Sequence, residues 1–256
     1  MHRKDLCLQL EDIKIRGQVY SPETGQQPFP TLCICHGLPR KGTPVPNDGG
    51  YPALAERFSR AGFLTVIFNF RGAGESEGNF DIIGWTRDLS AVMDYIYNIP
   101  AADKNKISTM GFSAGAAVCT YVASRDPRVT SAISCACPTV SRLGHDLDLA
   151  RQYIAEFRKV GIIKDDGFPP SLKEWMTGFN YIYSLNWVGK ISPRPLLIIH
   201  GTQDDVVPID SSRALYERAG EPKDIIITQG AGHQLRLVNE AMEGALNWLR
   251  SRFIGD

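Results

Sequence analysis

Gly111-Phe112-Ser113-Ala114-Gly115 stands between an apolar-alternating run at 106–110 and a small-residue run at 116–123. The first run reads as a strand and the second as a helix. Strand, G-x-S-x-G, helix is the context of a nucleophile elbow. Such a turn is so tight that side chains two residues either side of the nucleophile would clash, which accounts for both glycines. Ser113 would sit at the tip, its hydroxyl facing substrate, with the N-terminus of the following helix favouring negative charge beside it. An ordinary glycine-rich strand-to-helix turn can be spelled the same way. The weight of the reading therefore falls on the partners the rest of the chain supplies.

Working outward, buried-strand runs at 31–35, 63–70, 106–110 and 129–137 alternate with helix-like segments at 51–61, 85–99 and 116–123. Continuous apolar runs suit strands covered on both faces, so this alternation predicts a parallel, doubly wound sheet. An alternating hairpin at 6–20 precedes it, as expected of a sheet edge. The rhythm breaks over 139–192, which has one helix pattern at 148–159 and an aromatic-rich stretch holding Trp175, Phe179, Tyr181, Tyr183 and Trp187. It resumes with a strand at 195–201, a helix at 209–219, a strand at 224–228 and a closing helix at 239–253. The expected organisation is one core, 1–138 plus 193–256, with 139–192 inserted as a helical lid.

Composition sets outer bounds. A chain of 256 residues with 43% hydrophobic and 22% charged residues suits a soluble globular fold. Lys+Arg and Asp+Glu balance at 28 each, which gives no reason to expect nucleic acid or an anionic membrane as partner. The six cysteines form no C-x-x-C pair and lie mostly in apolar runs, as buried reduced thiols would. That pattern, with no signal-like N-terminus and no apolar run of about 20 residues, predicts a cytoplasmic protein. No histidine pair has metal-ligand spacing, so neither a metal nor another cofactor is expected.

A serine nucleophile needs a base, and the base needs an orienting acid. In doubly wound hydrolases the chain order is Ser, acid, His, each on a loop after a core strand. The loop after 195–199 reads His200-Gly201-Thr202-Gln203-Asp204-Asp205-Val206-Val207-Pro208, and the next strand is followed by Gly230-Ala231-Gly232-His233. Ser113, Asp204 and His233 satisfy both order and placement. Asp204 is preferred to Asp205 because Asp-x-x-Val-Pro sets it a fixed step before the next helix; a helix N-cap is the competing role for an acid here. His36 and His200 each close a strand before a glycine, where a ring that shapes the loops fits better than a base. A tetrahedral oxyanion needs two fixed N–H donors. Ala114 follows the nucleophile and supplies one. Leu38, in His36-Gly37-Leu38 after the first long buried strand, supplies the other.

With these pieces together the chain resembles the α/β-hydrolase superfamily over nearly its whole length. The matching segments are His36-Gly37-Leu38, Asn69-Phe70-Arg71-Gly72-Ala73-Gly74-Glu75-Ser76, the elbow, His200-Gly201-Thr202-Gln203-Asp204 and Gly232-His233. It looks most like small lid-bearing carboxylesterases of the cinnamoyl and feruloyl esterase kind, and like dienelactone-hydrolase and serine-aminopeptidase relatives. The resemblance implies an eight-stranded, mostly parallel sheet and an acyl-enzyme mechanism on Ser113, Asp204 and His233. The absence of His-Gly-Gly-Gly argues against hormone-sensitive-lipase-type esterases, and the serine itself separates the chain from dehalogenases (Asp) and dienelactone hydrolases proper (Cys). The expected substrate is a small-molecule ester with a small or aromatic acyl group. Its pocket is expected to draw on His36, Gly37, Trp175, Phe179, Tyr183, Trp187 and Val207, although the aromatic residues could equally be anchors for the lid. An aminopeptidase or amidase with the same triad, and a non-catalytic binding protein on the same fold, stay open, as does a homodimer.

Overall fold

The computed structural model describes residues 1–39, 48–139 and 144–254. Most of the loop after His36-Gly37-Leu38 and positions 140–143 of the predicted lid therefore lie outside the described residues. In chain order the elements are β1 (His2–Leu10), β2 (Ile13–Ser21), β3 (Phe29–Cys35), α1 (Gly50–Arg60), β4 (Leu64–Phe68), α2 (Ile82–Tyr97), β5 (Ala102–Phe112), α3 (Ala114–Arg125) and β6 (Ser131–Cys135). After β6 come α4 (Leu147–Lys159), α5 (Leu172–Tyr181), β7 (Leu196–Gly201), α6 (Ile209–Arg218), β8 (Lys223–Thr228) and α7 (Asn239–Phe253).

The strands form one eight-stranded sheet in the order β1-β2-β4-β3-β5-β6-β7-β8. β1 and β2 pair antiparallel, as do β2 and β4, and every later pairing is parallel. Every residue of β3, β4, β6 and β7 is buried, which is why these strands read as unbroken apolar runs. Alternate residues serve opposite faces. Cys33 and Cys35 of β3 join a core with α2, α3, α4 and α5, whereas Leu32 and Ile34 join a second core with α1 and α7. The sheet is thus covered on both sides, and its strands deliver their C-terminal loops to one edge.

Two features tie loops to that edge. Arg71, after β4, makes a buried ion pair with Asp88 of α2: Nη2 and Oδ1 are 2.8 Å apart, and the Arg71 backbone N–H donates to Oδ2 at 2.8 Å. Between β6 and β7 lie α4, α5 and two short 3-10 turns, Ser184–Asn186 and Val188–Lys190, with no strand among the described residues. α5 is held down by Trp175, whose indole N–H donates to the Phe80 carbonyl at 3.1 Å and whose ring packs edge-on to Phe80 and Phe179.

Candidate active site

Ser113 is the single residue between β5 and α3, at φ 53° and ψ −124°. A non-glycine residue at positive φ is strained and persists only where its surroundings impose it. Here the flanking backbone does so. A Cβ on Gly111 would lie 2.5 Å from the Ala116 Cα, and one on Gly115 would lie 2.2 Å from the His36 carbonyl oxygen. The elbow is pressed against both its own helix and the β3 loop. α3 is buried almost all round, so its N-terminus points from the core toward Ser113.

Asp204 and His233 come together as the sequence order predicted. The Asp204 side chain is fully buried, and His233 is 16% exposed. His233 Nδ1 lies 2.8 Å from Oδ2 and 3.0 Å from Oδ1 of Asp204. A carboxylate only accepts, so the proton sits on Nδ1 and Nε2 is left unprotonated. Burial raises the Asp204 pKa; hydrogen bonds from the Val207 N–H, His233 and the Val206 N–H outweigh that and hold it below the ordinary carboxylate value. The neighbouring Asp205 is exposed. Backbone bonds zip the two loops together: Gln203 N–H donates to the Ala231 carbonyl and Thr202 N–H to the Thr228 carbonyl, at 2.9 and 3.1 Å. Gly201 permits this, since a Cβ there would fall 2.2 Å from the Ala231 carbonyl oxygen.

The other two strand-end histidines are hydrogen-bonded to neighbouring loops. His36 Nδ1 contacts the Gly37 carbonyl at 2.7 Å, and Nε2 accepts from the Phe70 N–H at 3.1 Å. Burial lowers its pKa from 6.5 to about 4, so it is neutral near pH 7. By holding the Gly37 carbonyl, it turns the N–H of the same trans peptide, that of Leu38, the opposite way. His200 is wholly buried, with Nε2 2.9 Å from the Val207 carbonyl and 3.4 Å from Asp204 Oδ2, and Nδ1 2.5 Å from the Ser212 hydroxyl. It braces the turn that carries Asp204.

Two cavities meet at Ser113. A wider one of 830 Å³ has His36, Gly37, Leu38, Ser113 and His233 among its walls. A narrower one of 320 Å³ lies beneath α4 and α5, and Ser113, Ala114, Leu38, Phe179, Tyr183 and Val207 line it. As the first residue of α3, Ala114 has an N–H with no intrahelical acceptor. The structure thus gathers most of the predicted pocket residues at the site, with two corrections. Trp175 lines neither cavity, because its indole is spent beneath α5. Trp187 is also absent from both walls: its indole N–H bonds the Tyr181 carbonyl, and its ring packs edge-on against Tyr121 and stacks with Lys190 and Arg125. Tyr153 of α4 lines the narrow cavity and was not singled out from sequence. The available signal was its i, i+4 spacing from Leu149, which shares that wall. Arg236, paired with Asp48 on the wider cavity, had no local signal, since its partner is remote in the chain.

The sheet order and the elbow make this an α/β hydrolase by fold. The chain belongs to the X-Pro dipeptidyl-peptidase (S15) family, which matches residues 11–153, more than half of its length. It is 24% identical over 233 residues to an uncharacterized protein of Mycobacterium tuberculosis, covering 90% of this chain and 72% of that one. In structure it is similar to the α/β hydrolase GrgF from Penicillium sp. (TM-score 0.73, 21% identity, 99% of both chains). It is also similar to Est1E from Butyrivibrio proteoclasticus (TM-score 0.70, 17% identity, 96% of both chains).

Proposed function

We propose that this protein is a serine hydrolase that cleaves carboxylic esters of small or aromatic acyl groups. The observation that carries the reading is the buried Asp204 carboxylate on His233 Nδ1, with His233 and the strained Ser113 on the walls of one cavity. His233 Nε2 takes the Ser113 proton as Oγ attacks the ester carbonyl. Asp204 holds the ring in its productive tautomer and offsets the imidazolium charge. The Leu38 and Ala114 N–H groups receive the oxyanion. The tetrahedral intermediate collapses, and the alkoxide leaves as an alcohol carrying the proton from His233. Water then attacks the acyl-Ser113 ester with His233 again as base, releasing the acid.

The family name favours a second reading, amide cleavage by the same residues. Acyl transfer to an acceptor other than water is a variant of the first, since a relative from Penicillium is named a polyketide transferase. Turnover of p-nitrophenyl acetate and butyrate, compared with aminoacyl-nitroanilides, separates ester from amide cleavage. Cleavage of the anilides alone overturns the ester reading. Ser113→Ala is expected to lose at least about three orders of magnitude in kcat. A fluorophosphonate that fails to label Ser113 would instead favour a binding protein. Six free cysteines, five of them buried, support a reducing compartment, and we place the protein in the cytoplasm.

A further inference from the structure

We infer that the two cavities divide the substrate at its scissile bond, and that the acyl side does not take a cationic group. This rests on the serine hydrolase reading above. The general acid must deliver its proton to the leaving oxygen, so the alcohol lies on the His233 side of Ser113. His233 lines the 830 Å³ cavity and does not line the 320 Å³ one, whereas Ala114 lines only the latter and Leu38 stands between the two. The narrow cavity is therefore the acyl site and the wide one the alcohol site.

They differ in the charged side chains on their walls. Among the described residues, no charged side chain lines the narrow cavity. Besides Ser113, its polar side chains are the hydroxyls of Thr139, Tyr153, Tyr183 and Ser184, set among walls such as Ile82 and Leu149. An ammonium placed there would lose its hydration without gaining a carboxylate, which is strongly unfavourable. A dipeptidyl peptidase carries its substrate's free amine on the acyl side. The family's named substrate class thus does not match this cavity. At 320 Å³ the acyl site is also near the bottom of the range of about 300–1,000 Å³ typical of ligand pockets. It suits a short chain or a single ring. The wide cavity mixes apolar walls such as Phe112 and Leu237 with the side chains of Asp205 and Arg236, and so admits a larger alcohol that carries polar groups.

The test is a matched pair with one leaving group: the ethyl esters of 3-phenylpropanoic acid and of phenylalanine, assayed at about pH 6, where the α-amine stays protonated. The wild-type protein is expected to favour the uncharged ester by at least ~100-fold in kcat/KM, the scale of an uncompensated buried charge. Tyr153→Glu places a carboxylate on the narrow cavity at a 40% exposed position, where folding should tolerate it. It is expected to raise the relative rate on the phenylalanine ester by about tenfold. Equal wild-type rates on the two esters, with cleavage still dependent on Ser113, overturn this inference and leave the hydrolase reading standing. So does a phenylalanine ester rate that falls on Asp205→Asn and ignores Tyr153→Glu, since the acyl group would then occupy the wide cavity. Ester cleavage that survives Ser113→Ala overturns the hydrolase reading itself.

Discussion

Gly115 and His36 are a single mechanical contact: the glycine has no Cβ because the His36 carbonyl occupies that space. Gly115→Ala should move the elbow and the loop after β3 apart. The expected outcome is a loss of about 1–3 kcal/mol in stability together with a fall in kcat, checked by denaturant unfolding and ester assay. His36 also makes a prediction about pH. Its folded pKa of about 4 lies below the ordinary 6.5, so the neutral form is the one the fold favours. Its contribution is complete above pH 6.5 and is lost as pH falls toward 4, because the unfolded chain takes up the proton first. The amount at stake is about 3 kcal/mol. Thermal unfolding followed across that window should show the decline, and His36→Asn should flatten it. At Asp204, replacement by Asn should leave the fold intact and lower kcat about 10³–10⁴-fold by removing the acceptor that sets the His233 tautomer.

At the scale of elements, two anchors hold the loops that frame the site. Asp88→Ala leaves the Arg71 guanidinium buried without its partner and is expected to cost about 3–5 kcal/mol by urea unfolding. Asp88→Ala with Arg71→Met removes both charges and should recover much of that loss. Trp175 and Trp187 look alike in the sequence but differ in place. Trp175 is 4% exposed and joins α5 to Phe80, so Trp175→Ala should cost about 3–5 kcal/mol. Trp187 packs outside both cavities, so Trp187→Ala should leave the ratio of acetate to butyrate ester rates unchanged.

Across the whole molecule the cysteines report on the packing. Cys33, Cys35, Cys119, Cys135 and Cys137 are buried and free, and Cys7 is exposed. Burial raises the thiol pKa of Cys35, Cys135 and Cys137, which further lowers their reactivity. Thiol titration should therefore find one fast group in the native protein and all six after denaturation. None of the described helices is long and apolar enough to cross a membrane. The sheet is the common frame: with every strand from β3 onward parallel, the loops that carry Leu38, Ser113, Asp204 and His233 all leave from the same edge.

The sequence by itself determined the sheet and pointed to Ser113, Asp204 and His233 as the candidate triad. Unbroken apolar runs demand strands covered on both faces, glycines two before and two after Ser113 demand a tight elbow, and the order of Ser113, Asp204 and His233 along the chain matches the order of loops at one edge. These are local patterns, or patterns of order, and a linear chain carries both. Tertiary structure alone decided which aromatic rings line a cavity at Ser113. Trp175, Phe179, Tyr183 and Trp187 belong to one stretch of short helices, and whether a ring meets a cavity or a neighbour depends on how those helices dock on α2 and α3. It also decided that no charged side chain among the described residues lines the cavity beneath α4 and α5, because its walls come from segments as far apart as Leu38 and Val207.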